Sequence, residues 1–153
     1  MNIKKVTSKD LKKIIEIESM VFGKDAFSEK LIKKLIKENL FFLKLEKSSI
    51  KKHLIGFVIV IMDQKDSANI INFLINPKYQ IKGYGSFLLN QTILKIKEFD
   101  KVKKIILNVN INNPSAIKLY EKIGFQIIQE INNYYQLKDS AYLMELKFKP
   151  RIT

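Results

Sequence analysis

The chain of 153 residues contains no cysteine, which excludes disulfides, a cysteine nucleophile and thiolate metal ligands. A single histidine, His53, gives no basis for a zinc cluster, so any catalysis must use oxygen and nitrogen groups. Long hydrophobic runs are also missing. The longest, Leu54–Met62, is nine residues, where a membrane-spanning helix needs about 20. Met1–Thr7 has no signal-peptide core, and the expectation is a soluble, cytoplasmic protein with no membrane contact. Arginine is almost absent: Arg151 is the only one among 28 basic side chains, which stand against 15 acids for a formal charge of +13. Base readout and bidentate phosphate contacts favour arginine, so a lysine-rich chain of this kind is not read as a specific nucleic-acid binder. Its basic surface suits ribosomes, acidic polypeptides or an anionic cofactor. There is no repeat, linker or low-complexity tail.

With 46% apolar residues, the chain can bury one ordinary core, and one domain over 1–153 is expected. Its elements alternate. Residues 3–6 read as a short strand, followed by Thr7 as an N-cap, with Asp10 three residues on, for a helix carrying Leu11, Ile14, Ile15, Val21 and Phe22 and ending near Gly23. A second helix from Ser28 carries Leu31, Ile32, Leu35 and Ile36 on one face and Lys30, Lys33, Lys34 and Lys37 on the other. Strands are expected at 40–46, 54–62, 70–75, 103–110, 125–131 and 141–148, with helices at 84–99 and 114–123.

Two segments carry chemistry. The strand 70–75 is closed by Asn76-Pro77, after which Gly83 and Gly85 open a helix with Leu88, Leu89, Thr92, Ile93 and Ile96 on its apolar face. A helix start exposes unpaired N–H groups and the positive end of the dipole, and glycine removes the Cβ that would keep a bulky anion away. Phosphate fits there, although two glycines can equally shape a plain strand-to-helix turn. Leu88 stands where the third glycine of G-x-G-x-x-G would be and no G-x-x-x-x-G-K-[ST] is present, so the dinucleotide and Walker readings are disfavoured.

The second segment is a short helix with well-marked ends. Asn112 or Asn113 caps it, Pro114 is its first position and Gly124 follows its last turn. Ala116, Leu119, Tyr120 and Ile123 share one side, so Tyr120 is expected to be at least partly buried, either as an amphipathic core residue or as a functional phenol.

Together, Gln80-Ile81-Lys82-Gly83-Tyr84-Gly85 and Asn113 through Phe125 resemble the GNAT superfamily of acetyl-CoA-dependent N-acetyltransferases. The first matches its Q/R-x-x-G-x-G/A loop and the second its N-x-x-A-x-x-L-Y-x-x-x-G-F segment. Asn133-Tyr134-Tyr135 and Asp139 through Met144 are similar to the RimI and Ard1 types, which acetylate protein N-termini. The resemblance implies an α/β (α+β in some schemes) GNAT fold: a mixed, mostly antiparallel sheet of about seven strands, flanked by about four helices and splayed at the acetyl-CoA site. It implies that main-chain groups of Phe73, Leu74 and Ile75 hold the acetyl and pantetheine parts. Gln80, Ile81, Lys82, Gly83, Tyr84, Gly85 and Ser86 would form the pyrophosphate loop, with Asn113 on the pantetheine arm. Tyr120 would donate a proton to the departing thiolate. Tyr134, Tyr135, Phe22 and Glu18 would lie on the substrate side.

The pattern breaks at the general base. RimI-type enzymes carry a glutamate where this chain has Asn108. Asparagine takes no proton but can orient a water. Glu18 is then a candidate proton acceptor, with a lysine-paired rim carboxylate as its plainer reading; an α-amine of pKa about 8 is also partly neutral without help. Three functions follow: acetylation of protein N-termini, including those of ribosomal proteins; acetylation of a small amine or lysine side chain, a polyamine being disfavoured by the positive charge; and non-catalytic binding of acetyl-CoA.

Overall fold

The computed structural model describes residues 1–49, 51–134 and 139–150. Seven strands form one sheet: β1 (Asn2–Lys5), β2 (Phe41–Lys47), β3 (His53–Gln64), β4 (Ser67–Ile75), β5 (Lys104–Asn110), β6 (Gln126–Ile131) and β7 (Ala141–Lys147). Their order across the sheet is β1-β2-β3-β4-β5-β7-β6. All neighbours are antiparallel except β4 and β5, which run parallel. The helices are α1 (Leu11–Phe22), α2 (Glu29–Lys37), α3 (Tyr84–Lys97) and α4 (Pro114–Ile123). The mixed, mostly antiparallel seven-stranded sheet with four helices expected from the sequence is therefore present.

Strand alternation divides the core between the two faces of the sheet. On one face Leu43, Leu45, Val60, Ile105, Leu107 and Val109 pack with Leu88, Leu89, Ile93 and Ile96 of α3 and Tyr120 of α4. On the other, Phe42, Phe57, Ile59 and Leu74 pack with Ile14 and Ile17 of α1 and Ile32 and Leu35 of α2. The lysines of α2 lie on its exposed side, as its periodicity requires. Ser28 caps that helix by accepting from the Leu31 amide at 3.1 Å.

Several boundaries move for local reasons. Ser8–Asp10 is a 3₁₀ turn ahead of α1, stabilised where Asp10 Oδ2 accepts from the Thr7 amide at 2.8 Å. Lys44 of β2 contacts Asp10 Oδ1 at 2.7 Å and Glu46 at 3.4 Å, fastening this turn to the sheet. Burial alone would raise the Asp10 carboxyl, but the bonds from Lys44 and Thr7 outweigh it and hold the pKa below its ordinary value. β3 and β4 are longer than expected, reaching Gln64 and starting at Ser67, because a tight turn at 65–66 keeps them paired past their apolar stretches.

One glycine is dictated by a close approach. A Cβ on Gly56 of β3 would lie 2.4 Å from the carbonyl oxygen of Leu74 on β4, so only glycine lets these strands meet there.

Candidate active site

β4 and β5 begin side by side and then separate. Their register runs from Ser67 opposite Lys104 to Ile70 opposite Leu107 and stops. Beyond it, residues 72–75 of β4 pair only with β3, and 108–110 of β5 only with β7. A notch opens there, between main-chain edges that would otherwise hydrogen-bond to each other. Phe73, Leu74 and Ile75 form the β4 side of this notch. Phe73 faces α4, while Leu74 is buried toward α1.

The loop after β4 continues the site. Asn76 caps a 3₁₀ turn at Pro77–Tyr79, and the Gln80 side chain donates to the Ile75 carbonyl at 3.1 Å, folding the loop back on β4. Gly83 is the N-cap of α3 at φ +84°, a left-handed conformation that glycine adopts without strain. Ile81 also sits at φ +62° and is fully exposed; for a β-branched residue this is a strained conformation. Tyr84 stacks edge-on against Tyr79. The Phe87 amide donates to the Gly83 carbonyl at 3.1 Å, the first such bond of α3. Among the described residues, no main-chain amide from Ile81 to Ser86 has a protein acceptor. Six consecutive donors at a helix start, with exposed Lys82 beside them, fit the doubly charged pyrophosphate of coenzyme A.

α4 stands on the same side. Asn113, and not Asn112, is its N-cap, accepting from the Ala116 amide at 3.2 Å and from Ser115 Oγ at 3.2 Å, which leaves its Nδ2 to donate elsewhere. Tyr120 is 6% exposed, its ring edge-on to Phe73 at 6.2 Å and to Phe125 at 5.8 Å. The phenol expected to be at least partly buried is thus almost wholly so, and the Phe73 contact puts it against β4 at the notch.

Asn108 lies on the other face. Leu107 and Val109 point toward α3 and α4, so the intervening side chain projects oppositely, just past the last β4–β5 pair. Its Nδ2 donates to the Tyr134 hydroxyl at 3.2 Å. Its Oδ1 is buried and, among the described residues, has no hydrogen-bond partner, a state costing about 1–3 kcal/mol unless a donor arrives. Two residues on, Asn110 Nδ2 donates to Asp139 at 3.1 Å and its Oδ1 accepts from the Asn112 amide. The segment between β6 and β7 is thereby tied to the end of β5. Tyr134 is 47% exposed; Tyr135 lies outside the described residues.

Glu18 corrects one sequence expectation. It is 1% exposed and, among the described residues, bonded to no lysine. Its Oε1 accepts from Asn72 Nδ2 at 2.7 Å and its Oε2 from the Phe27 amide at 2.6 Å. Burial pushes its pKa above the ordinary carboxylate value, and these two bonds only partly offset that. Helical spacing put Glu18 on the apolar face of α1 but gave no sign of Asn72, 54 residues away, as its partner. Phe22, at the end of α1, is 36% exposed. No described helix is long and apolar enough to cross a membrane.

The acetyltransferase (GNAT) family model matches residues 10–125. The chain belongs to that family. Among curated relatives it is 42% identical over 82 residues, 54% of each chain, to the ribosomal protein bS18-alanine N-acetyltransferase of Haemophilus influenzae. It is also 31% identical over 108 residues to the spermidine N(1)-acetyltransferase of Vibrio cholerae, covering 66% of this chain and 62% of the relative. The chain spans about half the length of most of the curated relatives it matches. The crystal structure of the Escherichia coli ribosomal-protein-S18-alanine N-acetyltransferase superposes with a TM-score of 0.85 at 25% identity, over 99% of this chain and 96% of that one.

Proposed function

We propose that this GNAT protein is an N-acetyltransferase that moves the acetyl group of acetyl-CoA onto the α-amine of a protein N-terminus. The observation that carries the reading is the notch between β4 and β5, with six unbonded amides at one end and, on opposite faces, Tyr120 and Asn108 at its mouth. Bound there, acetyl-CoA supplies an acyl thioester already activated toward amines. The amides of Ile81 to Ser86 hold the pyrophosphate, main-chain groups of Phe73 to Ile75 align the pantetheine arm as a strand would, and Asn113 Nδ2 donates to that arm. Tyr120, shielded by Phe73 and Phe125, delivers a proton to the leaving sulfur. On the open face Tyr134, held by Asn108, lines the groove for the first residues of the acceptor, with Phe22 as a further wall.

The relative named for the alanine of ribosomal protein bS18 supports this choice of acceptor, and with it a cytoplasmic, ribosome-facing setting. The spermidine relative favours a second reading, a small-amine acetyltransferase. A formal charge of +13 opposes it, because a polycation would be repelled on approach. Thiol release from acetyl-CoA decides between them, measured with peptides varied in their first two residues beside spermidine and an N-terminally blocked lysine peptide. Turnover of free N-termini upholds the reading. Turnover of spermidine or the blocked peptide alone replaces it, and tight cofactor binding without turnover on any amine would make the protein a binding module.

A further inference from the structure

The Asn108 side chain combines two properties that together define a task. Its Nδ2 is fixed on the Tyr134 hydroxyl, so its Oδ1 is held in one place. That Oδ1 is buried and, among the described residues, accepts nothing. An acceptor that is buried, oriented and unfilled beside the notch matches a ligand that brings an N–H.

Among the described residues, the charged and titratable groups around Asn108 are bonded to other groups, turned to the far face or, for Tyr134, already bonded to the Asn108 amide. On β7, Glu145 is paired with Lys104 and Lys147, and Tyr142 faces the α3–α4 side. On the segment before β7, Asp139 accepts from Asn110, and the Tyr134 hydroxyl accepts from Asn108 itself. On β6, Glu130 lies opposite Tyr142, with β7 between it and β5. From α1, Glu18 has both oxygens bonded, to Asn72 and the Phe27 amide. Tyr120 of α4 lies on the far face. None of these is bonded to Asn108 as a carboxylate or imidazole base.

We propose that Asn108 Oδ1 accepts an N–H of the incoming amine and that the enzyme takes this amine already neutral, no side chain serving as general base. The inference rests on the reading of the notch as an acetyltransferase site and adds how the nucleophile is held. Asn108 aims the lone pair at the thioester carbon. The N–C bond would form and the C–S bond break, the proton shed by nitrogen passing to water and the sulfur taking one from Tyr120, whose phenol regains its proton from water. Asn108 ends as it began.

The test is kcat/KM against pH for two acceptors of the same sequence, one starting with alanine and one with 3-fluoroalanine, whose fluorine lowers the amine pKa. The acidic limb is expected to move down with the amine pKa. A limb fixed at one pH for both acceptors would reveal an enzyme base and overturn the proposal. Asn108→Leu should lower kcat/KM by about tenfold, the worth of one neutral hydrogen bond, with its limb still following the amine. An unchanged kcat/KM in that variant would also overturn the assignment, provided its melting curve shows a folded protein. Asn108→Glu should install a base, moving the limb to lower pH and uncoupling it from the amine. Asp139→Asn should leave the limb where it is; a shift would identify Asp139 as the missing base and refute the proposal. Should only small amines be turned over, the N-terminal acceptor falls, while the same comparison on amines of different pKa still decides the role of Asn108.

Discussion

Glu18 offers a quantitative test of the packing between α1 and β4. Replacing it with alanine strands two buried donors, the Phe27 amide and Asn72 Nδ2, which now reach the carboxylate at 2.6 and 2.7 Å. Each orphaned donor costs about 1–3 kcal/mol, partly offset because a desolvated carboxylate is no longer buried. A net loss of about 2–4 kcal/mol is expected, which for a domain of this size lowers Tm by about 5–15 °C. Glu18→Gln should behave differently. The glutamine oxygen can accept from Phe27 while its NH₂ donates to a turned Asn72, so both partners stay bonded and the cost at pH 7 is within about 1 kcal/mol. The pH dependence separates the two ideas further. Burial raises the Glu18 pKa in the fold, so between the unfolded and folded values the native state binds the extra proton. Its contribution to stability is therefore full below the unfolded pKa and is lost as pH rises through the folded one. Urea melts of wild type and Glu18→Gln from pH 4 to pH 8 should show the variant gaining relative stability with rising pH. A glutamine variant as damaged as the alanine one, or a difference that does not change with pH, would refute the reasoning.

Three further outcomes follow from the site. Tyr120→Phe keeps the ring contacts with Phe73 and Phe125 and removes the proposed acid, so kcat should fall by about 10²–10⁴ with thermal stability nearly unchanged; a kcat within twofold of wild type would remove Tyr120 from the chemistry. Gly56→Ala pushes a Cβ into the Leu74 carbonyl and must displace β4 where it borders the notch. It should cost about 1–3 kcal/mol in urea melts and weaken CoA binding by calorimetry. Ile81→Gly relieves a β-branched residue at φ +62° and should raise stability by about 0.5–1 kcal/mol, read as an increased urea midpoint.

The features visible in the sequence were those written in local chemistry. Asn113-Pro114 and Gly124 bound α4 to the residue, and Gly83 announced the start of α3, because caps and left-handed turns depend on neighbours a few positions away. Asn108 was already conspicuous as an amide where a glutamate was expected. Its hold on Tyr134 was not, since nothing local links residues 26 apart across a strand and a turn. The insertion of β7 between β5 and β6 was equally hidden, as periodicity gives a strand's faces but not its neighbours. Glu18 failed in an instructive way. Its spacing correctly predicted an inward direction, yet a lysine-rich chain favoured a surface ion pair, when the buried partner was an amide on a strand whose own pattern reads as apolar.

The short parallel register between β4 and β5 has a mechanical meaning. Within the sheet, four described residue pairs join a four-stranded half, β1 to β4, to a three-stranded half, β5, β7 and β6, while α3 and α4 pack across both. A ligand lying along the notch completes the seam as an extra backbone would, so its binding energy is also cohesion between the halves. At a concentration a hundredfold above Kd it would add about 2.7 kcal/mol to global stability, and slowed amide exchange should appear first along 71–75 and 108–110. The sheet is stitched at one end of this seam, and on the proposed reading acetyl-CoA would be the thread that draws the other end together.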